Sequence, residues 1–172
     1  MGILIGIGGV SNAGKTFLAR ELAQRLTPGP VPVFSQDDFV WPESQIPLIR
    51  DHIDWECPES IDFHRFKNEI LASLKQNPYV ITEGLMLYHD RDLFRHIDIR
   101  IFIELSEKDF YARKSLDLRW GAEPDWYINY IWEAYQRYGK FPAGHHPDIL
   151  LDGSRDFNLD DLGEWIMVKA KS

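Results

Sequence analysis

Eight consecutive residues, Gly9-Val10-Ser11-Asn12-Ala13-Gly14-Lys15-Thr16, fit the pattern G-x-x-x-x-G-K-[ST]. Each residue type has a chemical use. Two glycines let the backbone close around phosphate oxygens, so that loop N–H groups and the positive end of a following helix face the anion. Lys15 adds a mobile positive charge for the β- and γ-phosphates of a nucleotide, and the Thr16 hydroxyl adds a ligand for Mg²⁺. The competing reading, a glycine-rich turn, leaves a Lys-Thr pair directly after the last glycine without a purpose. A dinucleotide-binding fingerprint fails because Gly6-Ile7-Gly8 is followed by Ser11 where a third glycine belongs.

Such a loop needs a strand before it and a helix after it. Ile3-Leu4-Ile5-Gly6-Ile7 is short, β-branched and continuously apolar, as a strand buried on both faces would be. Leu18, Leu22 and Leu26 then recur at helical spacing. Beyond the breaker cluster Thr27-Pro28-Gly29-Pro30, a second short strand, Val31-Pro32-Val33-Phe34, ends in Ser35-Gln36-Asp37-Asp38-Phe39. Ligands of open parallel sheets lie beyond the carboxyl ends of the strands, so Asp37 and Asp38 are expected on the side of the phosphate loop. Asp37 could instead be a solvated strand-end carboxylate or a helix cap, and Asp38 reads as structural. A third strand, Tyr79-Val80-Ile81-Thr82, runs into Glu83-Gly84, which places a carboxylate where a Mg²⁺-bound nucleotide needs one.

The remaining elements follow the same alternation. Residues 40–59 carry several prolines and no period, and read as one long, functional loop. From Ser60, the positions Phe63, Phe66, Ile70 and Leu74 predict an amphipathic helix that Asn77-Pro78 ends. Ile99, Ile101 and Ile103 mark a fourth strand, and Ser106-Glu107-Lys108-Asp109 opens a helix running toward Arg113, Lys114 and Arg119. Those three cations form either a lid over phosphates or a solvated helix face. Pro124 starts an aromatic helix with Trp126, Tyr127, Tyr130, Trp132, Tyr135 and Tyr138, read mainly as packing surface. Asp148–Asp152 gives a fifth strand and Asn158 caps a last helix. Alternating β and α elements imply a parallel sheet with helices on both faces, and 172 residues suffice for one domain, 1–172.

Composition removes several classes of function. With 19 Lys and Arg against 27 Asp and Glu, the net charge is −8, which disfavours an extended nucleic-acid partner and favours a small ligand. Cys57 is the only cysteine, so neither a disulfide framework nor a C-x-x-C metal pair exists, and His145-His146 has no third ligand at metal spacing. No apolar run reaches membrane-spanning length and the N-terminal run lacks a basic flank, so a cytoplasmic protein without membrane contact is expected. No N-K-x-D tetrapeptide occurs, which disfavours a GTPase.

With the phosphate loop, Ser35-Gln36-Asp37-Asp38-Phe39, Ile81-Thr82-Glu83-Gly84, Arg113-Lys114 and the aromatic run Ile131-Trp132 with Tyr135-Gln136-Arg137-Tyr138 in view, the chain resembles the uridine kinase-like P-loop nucleoside kinases, and among them the nicotinamide riboside kinases. The resemblance implies a five-stranded parallel sheet with a short lid, roughly residues 113–125, and transfer of a phosphoryl group from ATP with Mg²⁺ to a nucleoside 5′-hydroxyl. It implies that Gly9, Ser11, Asn12, Ala13, Gly14, Lys15, Thr16, Arg113 and Arg119 hold the nucleotide, that Thr16 and Glu83 hold the metal, and that Asp37, Lys15 and Arg113 act in the transfer. Asp37, Phe39, Trp55, Glu56 and Lys114 would meet the nucleoside, with Trp55-Glu56 in place of the family's aromatic-acid pair. It further implies a monomer or weak homodimer. A pyridinium base suits Trp55 and its acidic neighbours, so nicotinamide riboside is the first expectation, uridine or cytidine the second, and a nucleotide-binding regulator without a small acceptor the reading from another class.

Overall fold

The computed structural model describes residues 2–119 and 121–171. Five parallel strands form one sheet, β1 (Ile3–Gly9), β2 (Val33–Ser35), β5 (Tyr79–Gly84), β6 (Ile99–Glu104) and β7 (Ile149–Asp152), in the spatial order β2-β5-β1-β6-β7. Central β1 has β5 on one side and β6 on the other, with Ile5 opposite Ile81 and Ile99. Strand order therefore reverses at β1, and the chain leaves β1 directly into the phosphate loop. Crevices open at such reversals, so the motif stands where a ligand can enter.

The centre of the sheet is buried on both faces, which explains the unbroken apolar run of β1. Leu4, Ile5 and Ile7 are all buried. Gly6 and Gly8 share the face of Leu4; Ile97 and Leu87 fill the space beside Gly6, and aromatic rings that beside Gly8. A Cβ on Gly8 would stand 2.5 Å from the Tyr88 ring, and the Tyr88 hydroxyl lies 2.8 Å from the carbonyls of both Gly6 and Ile101. Phe94 and Phe141 pack around Tyr88 with ring centroids 5.8 and 4.8 Å away. α1 (Lys15–Arg25) packs with α6 (Leu159–Lys169), which Asn158 caps as expected.

Several predicted elements change in detail. The segment after β2 is a tight 3₁₀ turn, Gln36–Phe39, rather than a strand end. Residues 40–59 are not a structureless loop. They contain a two-stranded antiparallel hairpin, β3 (Leu48–Ile49) and β4 (His52–Ile53), whose two-residue strands are too short to give a readable alternation. α2 (Phe63–Leu74) begins where the Asp62 side chain accepts from the Arg65 N–H at 2.9 Å. A short helix, α3 (Arg91–His96), capped by Asp90, was not expected. α4 (Glu107–Lys114) stops five residues before Arg119, so the predicted continuous basic helix does not form. An irregular segment then leads to Pro124, the N-cap of α5 (Asp125–Ala134), which passes into a π-turn at Tyr135–Gly139. This segment is the expected lid; within it, Trp120 lies outside the described residues.

Candidate active site

The phosphate loop is shaped by backbone that favours glycine. Gly9 (φ 149°) and Gly14 (φ 103°) lie in the positive-φ region, and Asn12 (φ 62°) is one of the residue types that tolerate it. At Gly9 there is also no room, since a Cβ would meet the Ile103 carbonyl oxygen at 2.5 Å. Gly14 precedes the first turn of α1, which carries no acidic residue, so its free N–H groups present a positive end to an anion. Ser11 Oγ donates to Asn12 Oδ1 at 3.0 Å and Ala13 is buried, which stiffens the loop from within.

The loop's own Lys15 and Thr16 meet carboxylates from other elements. Thr16 Oγ1 donates to Glu83 Oε1 at 3.1 Å, and Glu83, at the end of β5, is only 2 % exposed. A buried carboxylate facing a hydroxyl beside a phosphate loop is a donor pair suited to a hard divalent cation. Among the described residues no group of three or more His, Cys, Asp or Glu is arranged to hold a metal ion by itself, so a metal here would complete its shell from phosphate oxygens and water, as Mg²⁺ commonly does. Lys15 Nζ donates to the Val10 carbonyl at 2.9 Å. Burial lowers the Lys15 pKa, opposed first by Glu83 and then by Asp37 and Glu56, so three carboxylates share its field.

Asp37 is held in place by its neighbours. Gln36 is buried, accepts from the Met86 N–H at 2.9 Å and fills the space a Cβ on Gly84 would take. Phe39, expected against the nucleoside, instead packs into the core on Phe66 at 4.9 Å between ring centroids, because the 3₁₀ turn directs it inward. The Arg65 guanidinium covers the Phe39 ring at 4.8 Å and donates to the Asp38 carbonyl at 2.9 Å. Two buried anchors thus flank two exposed carboxylates, and of these Asp37 is the one whose charge reaches Lys15, Glu56 and Arg119.

Glu56 is half-buried, with Trp55 beside it packed on the edge of the core. Desolvation, then the charge of Asp37, pushes its carboxyl up to about 8, against the pull of Lys114. An acid whose folded pKa exceeds its unfolded value of 4.5 binds more protons when folded, so its contribution to stability is present below 4.5 and is lost as pH rises toward 8. Glu56→Gln is therefore expected to raise the melting temperature relative to the parent more at pH 8 than at pH 5, measured by thermal denaturation at both pH values. Equal shifts at both would show that Glu56 is not a strained carboxylate. Next to it, Cys57 is buried, its thiol donates to the Asp54 carbonyl at 3.3 Å, and burial pushes it up to about 11.

The three basic residues past the fourth strand separate in space. Arg113 bolts α4 to the loop, donating from Nη1 to the Asn12 carbonyl at 3.0 Å and from Nη2 to the Gly153 carbonyl at 2.8 Å. Lys114 turns inward, 5 % exposed, and pairs with Glu123 at 2.6 Å. Arg119 stays 65 % exposed and clasps Asp117, whose other contact is a 3.0 Å bond from Asn12 Nδ2. Arg119 first, with Asn12 assisting, holds the Asp117 carboxyl far below its ordinary range. They are neither one solvated face nor one lid helix, because α4 ends at Lys114. Asp117, Glu123 and Gly153 were missed by sequence reasoning; none belongs to a motif, and only folding brings them to the loop.

A phosphate loop at the reversal point of this parallel sheet, with a buried strand-end carboxylate beside its threonine, defines a P-loop kinase fold. Solved structures agree: a sugar kinase from Janibacter sp. superposes with TM-score 0.61 at 16 % identity, covering 99 % of this chain and 95 % of that one, and a gluconokinase from Sinorhizobium meliloti with TM-score 0.55 at 17 %, covering 99 % and 91 %. Nicotinamide riboside kinase 2 of Mus musculus is 30 % identical over 176 residues, covering 90 % of this chain and 89 % of that protein. Nicotinamide riboside kinase 1 of Rattus norvegicus is 28 % identical over 170 residues, covering 88 % and 86 %. A uridine kinase of Lactobacillus helveticus is 23 % identical over 193 residues, covering 93 % and 92 %. No family model matches the chain. The chain belongs to the nicotinamide riboside kinase family.

Proposed function

We propose that this protein transfers the γ-phosphoryl group of ATP to the 5′-hydroxyl of nicotinamide riboside, forming nicotinamide mononucleotide. The observation that carries the reading is the meeting of Lys15, Glu83, Asp37 and Glu56 in one electrostatic neighbourhood at the mouth of the phosphate loop. Phosphoryl transfer asks little covalent work of a protein; it needs an aligned acceptor and cations around the moving charge. Asp37 accepts the hydroxyl proton as the new O–P bond forms and the bond from the γ-phosphorus to the bridging oxygen breaks. Lys15 turns from the Val10 carbonyl to the β- and γ-oxygens, and the exposed Arg119 adds charge from the lid. Arg113 keeps Asn12 and the loop in shape. Thr16 and Glu83 would hold Mg²⁺, which neutralises charge on the phosphates when bound.

The choice of riboside rests on charge. Trp55 adjoins Glu56, whose charged neighbours include Asp37, Glu123 and Asp54, and an aromatic ring set among acids favours a pyridinium cation over a neutral pyrimidine. Uridine or cytidine is the second reading, favoured by the Lactobacillus relative. A panel of nucleosides with ATP and Mg²⁺ tests the proposal. Turnover confined to uridine and cytidine would overturn the substrate, and ATP hydrolysis indifferent to every nucleoside would favour a regulator. Trp55→Ala is expected to raise KM for nicotinamide riboside about tenfold, in line with a desolvated cation–π contact, with KM for ATP unchanged. Equal rises in both would make Trp55 only a hydrophobic anchor of its loop.

A further inference from the structure

Asp54 is an acid that neither the motif nor the proposed transfer uses, yet it is only 8 % exposed. Among the described residues no Lys, Arg or His forms an ion pair with it. A buried carboxylate without a counter-charge is costly unless its oxygens are hydrogen-bonded. Both are: Oδ1 accepts from the Glu56 backbone N–H at 3.1 Å, and Oδ2 accepts from the Tyr130 hydroxyl at 2.7 Å. One carboxylate therefore joins the backbone of the nucleoside loop to the middle of α5.

We infer that Tyr130 and Asp54 are positioning residues, a pin that sets Trp55-Glu56 against the nucleoside by tying that loop to α5; the inference rests on the nucleoside-kinase reading above. The hairpin that leads into the loop cannot order itself. Its strands are two residues each, and isolated hairpins are marginal even when longer. It leans on α5 instead: the Arg50 guanidinium at its turn lies 4.3 Å over the Trp126 ring, and the His52 ring packs at a tilt against Tyr127, 4.8 Å between centroids. Those contacts hold the hairpin, the Tyr127 hydroxyl also meets the Ile53 carbonyl and the Trp55 backbone, and Ser60 Oγ donates to the Trp55 carbonyl at 3.0 Å. The Tyr130–Asp54 bond carries the tie from α5 on to the Glu56 amide.

Tyr130→Phe keeps the ring and removes only the hydroxyl. With the nucleoside the parent turns over fastest, its KM for nucleoside is expected to rise about tenfold, the scale of one hydrogen bond to a charged acceptor, with KM for ATP and nucleoside-independent ATP hydrolysis unchanged. Hydrogen exchange of the Glu56 amide should quicken while β1, β5 and β6 stay protected. Asp54→Asn should act in the same direction, and the double variant should be no worse than the more severe single one, because the two share one interaction. A Tyr130 that served packing alone would move both KM values and the melting temperature together, which would overturn the inference, as would parental KM with unchanged exchange at Glu56. If the parent phosphorylates no nucleoside, the proposed function fails by itself, and exchange at the Glu56 amide still decides whether the pin exists.

Discussion

Replacing Asp37 with asparagine is expected to leave ATP binding intact and to slow phosphoryl transfer about a thousandfold, within the range for loss of a general base. The effect should be confined to chemistry because the turn that carries Asp37 does not depend on its carboxylate. Gln36 and Phe39 anchor that turn from below and Arg65 from the side, and the Asp37 side chain itself is exposed. Asparagine keeps the shape and can still accept a hydrogen bond, but it cannot take the proton that the 5′-hydroxyl must lose. The same change removes a charge that helps push Glu56 up, so the Glu56 pKa should move back toward the ordinary carboxylate range. Calorimetric titration with ATP and steady-state turnover separate the two parts. A variant that turns over at near the parental rate would remove Asp37 from the mechanism.

Lys15→Met should lower kcat by about a hundredfold to a thousandfold, the cost of deleting one preorganised charge from a transition state. Methionine fills much the same volume as the lysine stem, so the loop keeps its packing. What changes is the field, since Lys15 is the cation that Glu83, Asp37 and Glu56 jointly face. Without it, the buried Glu83 carboxylate loses its compensating charge, and removing one partner from buried charges destabilises a protein. The variant should melt below the parent in the absence of ligand and recover much of the difference with Mg²⁺ and nucleotide, which stabilise the form they bind. Unchanged turnover would show that phosphates do not approach Lys15; a melting temperature unmoved by the substitution would show that Glu83 is balanced by something else.

The nucleotide half of the site was legible because its chemistry is local. A phosphate loop needs its glycines, Lys15 and Thr16 within eight residues, with a strand before and a helix after, and all of that is contiguous in the chain. The placement of Asp37 and Glu83 beside the loop was legible for a related reason, since parallel strands end on a common side and each residue stands at the end of one. The nucleoside half was less so. Its hairpin is too short to carry a period, and Phe39 was placed against the substrate because a four-residue motif does not reveal that a 3₁₀ turn sends its last side chain inward. The basic cluster misled for the opposite reason. Arg113, Lys114 and Arg119 are close in sequence, but the end of α4 at Lys114 sends them to three different partners, Gly153, Glu123 and Asp117. Tyr130 and Asp54 lie 76 positions apart, and nothing short of the folded chain brings them together.

The state of Cys57 has a practical side. Only a thiolate attacks an electrophile, and a thiol held near 11 is ionised at pH 7 in about one molecule in ten thousand, besides being shielded by its surroundings. Because it is the chain's only cysteine, maleimide or iodoacetamide reagents have no ready target on the parent protein. A thiol engineered at any solvent-facing position would then be the single addressable handle, so a fluorophore or spin probe could report conformational change from one known spot, with no native cysteine to replace first.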